Sequence, residues 1–154
     1  MLRKIFLHPK VFIFDVYLHQ IIMTTLLQDL VSSLLPSSIY QYFSPVSITE
    51  KAHGIELRME EYSELVPSEL SGSLSVVMDG FCNPLELLHF SMKGKPLYLK
   101  LYRRRWKESG SSKHYSNRYD LHPEGVKATH EFASFLKGEV GCTADEYVRF
   151  LLGT

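Results

Sequence analysis

The most regular pattern in the chain lies between residues 97 and 106, where Leu97, Leu99 and Leu101 alternate with Tyr98, Lys100 and Tyr102. A period of two marks a strand with one buried face, so a strand is predicted over residues 97–106. Arg103 and Arg105 continue the leucine face, while Arg104 and Trp106 continue the tyrosine face. Gly110-Ser111-Ser112 then offers a hairpin tip, with residues 115–121 as the returning strand. The same period recurs over residues 54–60, Gly54-Ile55-Glu56-Leu57-Arg58-Met59-Glu60, and predicts a half-buried strand. Another strand is expected from Ser73 to Met78, with Asp79-Gly80 as a turn. Residues 85–92 fit either a strand or a helix.

Helical spacing appears at both ends. Thr25 and Gln28 make a capping box ahead of Leu26, Leu27, Leu30, Val31 and Leu34, which predicts a helix over residues 23–35 closed by Pro36. A short helical turn is expected through Ile39, Tyr40 and Phe43, ended by Pro45. Val126, Thr129, Phe132, Ala133, Phe135 and Leu136 restore the three-and-four spacing, with Gly138 as the expected C-cap. Thr143 and Glu146 form a second capping box before Tyr147, Val148, Leu151 and Leu152. The predicted class is α+β: a small antiparallel sheet with a basic β-hairpin, flanked by an N-terminal helix and C-terminal helices.

Residues 1–22 are basic and then apolar, but His8, Pro9, Lys10, Asp15, His19 and Gln20 interrupt the apolar run and no small-x-small cleavage site follows. The run is also too short and too charged for a bilayer span. These residues are expected to lie outside the fold, with translation beginning at Met23 and residues 23–154 forming one domain. Two cysteines, Cys82 and Cys142, are too few for a disulfide framework and read as reduced thiols of a cytoplasmic protein.

Charge changes the picture. The chain of 154 residues has 17 Lys and Arg against 17 Asp and Glu, a net of zero. Yet residues 93–118 hold nine of those bases, Lys93, Lys95, Lys100, Arg103, Arg104, Arg105, Lys107, Lys113 and Arg118, against the single acid Glu108. Eight bases and sixteen acids are left for the remainder, so a segment of +8 sits in a background of −8. Such segregation points to a polyanionic partner. A two-stranded ribbon with a cationic tip fits the DNA major groove, and phosphate contacts release counterions. Tyr98, Tyr102, Trp106, Tyr115 and Tyr119 interleave with the bases and present faces suited to stacking. The candidate nucleic-acid contacts are Lys95, Lys100, Arg103, Arg104, Arg105, Trp106, Lys107, Lys113 and Arg118, with Trp106 and Tyr119 also bracing the hairpin. A plain solvated face, docking on an acidic protein, or self-contact with the chain's own Glu-rich segment are the competing readings of the same charge.

Other chemistry is sparse. His114, His122 and His130 recur every eight residues but fall on hairpin, loop and helix, and no Cys or carboxylate completes a metal set. No Walker loop, dinucleotide fingerprint or nucleophile elbow occurs. Neither an enzyme nor a cofactor is expected.

Lys95-Pro96-Leu97-Tyr98-Leu99-Lys100-Leu101-Tyr102-Arg103-Arg104-Arg105-Trp106, then Tyr119-Asp120-Leu121, Glu124-Gly125 and Thr129-His130-Glu131-Phe132-Ala133-Ser134-Phe135-Leu136-Lys137, make a specific combination. It resembles the N-terminal region proteins of bacterial insertion-sequence transposases of the ISAon type, in which a YL-x-x-x-RRRW strand leads to an EG…T-x-EFA-x-FLK helix. Leu35-Pro36, followed by Tyr42-Phe43, is similar to the start of that family. The resemblance spans residues 23–137. It implies a DNA-binding front end that recognises transposon terminal repeats and works with a separate transposase catalytic subunit. Where zinc-ribbon relatives carry paired cysteines, this chain has Lys107-Glu108-Ser109-Gly110, so any ribbon is expected to be metal-free. No DDE triad is expected within these residues. The alternative is a protein-interaction module that docks its basic hairpin on an acidic partner or on the catalytic subunit.

Overall fold

Leu97, Leu99 and Leu101 are all buried, and the strand that carries them is an inner strand of the larger sheet. The structure is a computed structural model and describes residues 9–154. Its strands are β1 (Phe43–Lys51), β2 (Gly54–Glu61), β3 (Val76–Phe81), β4 (Leu85–Met92), β5 (Lys95–Tyr102) and β6 (Arg104–Glu108). Its helices are α1 (Pro9–Leu34), α2 (Ser37–Tyr40), α3 (His130–Phe135) and α4 (Ala144–Leu152). The class is α+β, as the periodicities predict. The chain divides into two units, Met1–Leu35 and Pro36–Thr154.

In the first unit α1 extends upstream of Thr25. Thr25 does not cap it; its hydroxyl donates to the Ile21 carbonyl 3.0 Å away, one turn back inside the helix. No Gly or Pro interrupts residues 10–35, and Pro9 is the first helical residue, where its missing N–H costs nothing. The boundary between the two units falls at Leu35/Pro36. The expectation for residues 1–8 lies outside the described residues.

The second unit holds two sheets. The larger has the order β1-β2-β5-β4. It is mixed: β1–β2 and β4–β5 are antiparallel, and β2–β5 is parallel. Apolar residues of one face, Ile55, Met59, Leu87, Leu99 and Leu101, are buried, as are Ile39, Phe43 and Leu70. β1 is not visible in the periodicity. It runs through Pro45, which an edge strand tolerates because the N–H is not needed outward, with a register shift between Pro45 and Ser47. β4 and β5 are joined by Lys93 and Gly94, both left-handed (φ 53° and 71°), the backbone of a two-residue primed turn. At Gly54 an added Cβ would stand 2.6 Å from the Pro96 carbonyl oxygen, so the start of β2 needs a glycine.

The smaller sheet pairs β3 with β6 antiparallel. This revises the predicted strand over residues 97–106, which breaks at Arg103. The backbone there bonds outside the larger sheet: the Cys82 N–H donates to the Arg103 carbonyl at 2.9 Å, and the Arg104 N–H donates to Glu61 Oε2 at 2.5 Å. The predicted return from Tyr115 is present as a single antiparallel bridge, Trp106 to Tyr115, with both bonds at 2.8 Å. The ribbon partner of β6 is β3. Asp79-Gly80 is not a turn but a register shift inside β3, between Met78 and Phe81.

The C-terminal helices close over β4. Leu88, Ala128, Phe132 and Leu136 form a buried cluster, with Tyr98, Phe135, Tyr147 and Val148 packed around it. Thr129 caps α3 by accepting from the Phe132 N–H. The helix then widens into a π turn, Leu136–Val140, and ends at Gly141 (φ 72°) rather than Gly138. The capping box at α4 forms as predicted: the Glu146 N–H donates to Thr143 Oγ1 at 3.3 Å, and the Thr143 N–H donates to Glu146 Oε2 at 2.7 Å. Among the described residues no helix is long and apolar enough to cross a membrane.

Candidate nucleic-acid interface

The acids that are distant from residues 93–118 in sequence come to meet them in space. At the root of the segment, Lys95 pairs with Glu50 across the sheet end. Lys100 projects from β5 on the face opposite its leucines and lies 2.8 Å from Glu56 and 3.4 Å from Glu86. Lys51 (2.6 Å) and His53 (3.2 Å) also reach Glu56. Lys100 first, and Lys51 after it, hold the Glu56 carboxyl down at about 2, against an ordinary value of 4.5. These cations are neutralised by the fold itself.

Arg103 and Arg104 serve the joint between the sheets. Arg103 donates to the Asn117 carbonyl at 2.9 Å. Arg104 donates through Nε to the Glu61 carbonyl at 2.7 Å, and its guanidinium lies over the Phe81 ring. Glu61 is fully buried. Besides the Arg104 N–H, its carboxylate accepts from Asn117 Nδ2 at 2.8 Å and from the Tyr119 hydroxyl. Burial, reinforced by Glu61, pushes the Tyr119 hydroxyl well above its ordinary range, so it stays a donor. Tyr119 also stacks on Tyr42 with ring centroids 4.1 Å apart. This network ties the stretch that carries Arg118 to β2.

The tip differs. Arg105 and Lys107 alternate along β6 with Arg104 and Trp106. They converge on one carboxylate, Asp79 of β3. Its Oδ2 is 3.3 Å from Lys107 Nζ, 3.8 Å from Arg105 Nη2 and 2.5 Å from His114 Nε2. His114 first, then Lys107, hold the Asp79 carboxyl below its ordinary range. Lys113 rests its ammonium 4.8 Å from the Tyr115 ring centre, and Arg118 is exposed; neither forms an ion pair with any described residue. His114 and Arg118 both line a polar cleft of about 580 Å³, with Ser68, Glu69, Tyr115, Ser116 and Asn117. Positive charge is therefore in excess on this side, as it is not at Lys95 and Lys100.

Of the predicted contacts, Arg105, Lys107, Lys113 and Arg118 gather on this side of the molecule. Lys95, Lys100, Arg103 and Arg104 are committed to protein acceptors. Trp106 is buried and its indole N–H has no hydrogen-bond partner among the described residues, so it packs rather than offering a face for stacking. Sequence reasoning missed His114 and Asp79 as members of the cluster. Only a pairing of β3 with β6 reveals them, and Asp79-Gly80 resembled a turn. His122 and His130 bond instead to the Pro123 carbonyl and to Asp120. No group of metal-ligating side chains occurs among the described residues.

Comparison with family models, with curated proteins and with solved structures gave no match.

Proposed function

We propose that the chain is the DNA-binding module of an insertion-sequence transposase. It holds element ends through phosphate contacts and leaves strand cleavage to a separate catalytic subunit. The observation that carries this reading is the uncompensated charge on β6 and the stretch after it. Arg105, Lys107 and His114 share a single carboxylate, and Lys113 and Arg118 have none among the described residues. A two-stranded antiparallel ribbon, β3–β6, presents two of these cations, and such a ribbon has the width of the major groove. Each phosphate neutralised by such cations releases counterions, so binding is expected to weaken steeply with salt. The contact set is narrowed to Arg105, Lys107, Lys113, His114 and Arg118.

The test is a shift assay at low salt with duplex carrying the element's terminal repeat. The Arg105→Gln/Lys107→Gln/Arg118→Gln variant is expected to lose at least roughly tenfold in affinity, because three cations facing the backbone are removed together. Equal binding by that variant, or no binding by the native chain, contradicts the proposal. In the latter case, co-purification of the chain with an acidic protein selects the interaction-module reading instead.

A further inference from the structure

Asp79 is placed by the backbone rather than by chance of side-chain rotation. The register shift between Met78 and Phe81 puts an extra residue into β3, and such bulges re-aim the side chains they contain. Here the shift turns the carboxylate toward β6. One oxygen, Oδ2, then faces an ammonium, a guanidinium and an imidazole together. Arg105 has a second anchor. Its Nε donates to the Asp79 main-chain carbonyl at 2.8 Å, while its Nη2 lies 3.8 Å from the carboxylate, beyond hydrogen-bond length. The guanidinium edge is therefore positioned by the main chain and left without a close acceptor from Asp79. None of the four side chains is sealed off: 36% of Asp79, 43% of Arg105, 29% of Lys107 and 34% of His114 is exposed.

We propose that Arg105, Lys107 and His114 form a site for one phosphate oxyanion, and that the Asp79 carboxylate fills it in the free protein as an internal competitor. The inference rests on the phosphate-binding reading above and deepens it. Binding is an exchange of oxyanions. A phosphate oxygen takes the position of Oδ2, the short Asp79 side chain rotates outward, and Arg105 is held throughout by the main-chain carbonyl. A phosphodiester has two free oxygens, so it serves Lys107 and His114 with one and the Arg105 edge with the other. The competing carboxylate lowers affinity for every phosphate equally. A single free phosphate is then held weakly, while a nucleic-acid backbone has further contacts to make at Lys113 and Arg118.

The experiment titrates the full-length chain with inorganic phosphate and, separately, with a short DNA duplex, following the His114 ring and Lys107 signals by NMR. It compares the native chain with Asp79→Asn and with Glu108→Gln. Glu108 lies on the same strand as Arg105 and Lys107 and its loss changes net charge equally, but among the described residues it forms no ion pair with Arg105, Lys107 or His114. Asp79→Asn is expected to tighten both ligands by roughly tenfold, the scale of removing a close like charge, and Glu108→Gln by less than about twofold. Tightening of inorganic phosphate with no DNA binding by any variant upholds the oxyanion site and refutes the DNA reading. DNA bound by native and Asp79→Asn chains alike, or equal gains from the two variants, overturns the internal competitor and leaves DNA binding standing. Failure of Asp79→Asn to bind either ligand overturns both.

Discussion

Along β5, at the root of the basic segment, the lysines face carboxylates in number. Lys95 has Glu50, and Lys100 has Glu56 and Glu86. Along β6 and the stretch after it, Arg105, Lys107 and His114 crowd onto Asp79 alone, and Lys113 and Arg118 have no ion-pair partner among the described residues. Both regions carry basic residues, two lysines on β5 and Arg105 and Lys107 on β6. The difference is in what the sheet brings opposite. β5 is an inner strand whose outward face meets the acids of β2 and β4, while β6 meets a single acid on β3. A run of cations thus becomes a structural feature at one end and an available surface at the other. Like residues acquire unlike roles from their strand partners.

The joint between the two regions gives the largest expected effect. Glu61 accepts from the Arg104 N–H, Asn117 and Tyr119 while wholly buried. Glu61→Gln places an amide among donors and leaves some of them unsatisfied, at a cost of about 3 kcal/mol. Urea denaturation of the variant measures this, and a loss below about 1 kcal/mol breaks the view of Glu61 as the joint. Gly54→Ala belongs at the root: its Cβ meets the Pro96 carbonyl, and we expect a loss of about 2 kcal/mol with the tip cations undisturbed.

Acid sharpens the comparison at the root. The folded-state value of Glu56 is depressed to about 2 from 4.5. Its ion pairs therefore contribute stability that is fully present above pH 4.5 and is lost as pH falls toward 2. The stability gap between the native chain and Glu56→Gln is expected to close over that window; a gap unchanged across it contradicts the pairing. The smallest effect is at the β4–β5 turn. Lys93 holds a left-handed conformation, so Lys93→Asn is expected to add about 0.5 kcal/mol, read as a small rise in melting temperature.

Much of the scaffold was legible because its signals are local. The leucine face of β5, the period of β2 and the Thr143–Glu146 box depend on near neighbours, and each appears where the residues predict. What was not legible depends on distant partners. Side-chain alternation runs unbroken through Arg103, so nothing local marks the passage from one sheet to the next; the cause is Glu61, 43 residues from Arg104. Pro45 hid an edge strand, and Asp79-Gly80 hid a bulge behind the composition of a turn. The candidate site was legible as charge and illegible as geometry. The +8 and −8 counted along the chain cancel in part in the fold, because Glu50, Glu56, Asp79 and Glu86 pair with Lys95, Lys100, Arg105 and Lys107. A hint was present in β2, where Glu56 falls on the face that a neighbouring Lys100 would share.

The most direct test of the unequal halves is the salt dependence of duplex binding, measured side by side for Lys95→Gln/Lys100→Gln at the root and Arg105→Gln/Lys107→Gln at the tip. The tip pair is expected to lower affinity at low salt by roughly tenfold or more and to reduce the slope of log affinity against log salt by about 2, since each of the two cations neutralises one phosphate. The root pair should keep the native slope and lower the melting temperature by a few degrees instead. Equal drops in affinity and slope from the two pairs would contradict the division of the basic segment into a structural root and a binding tip.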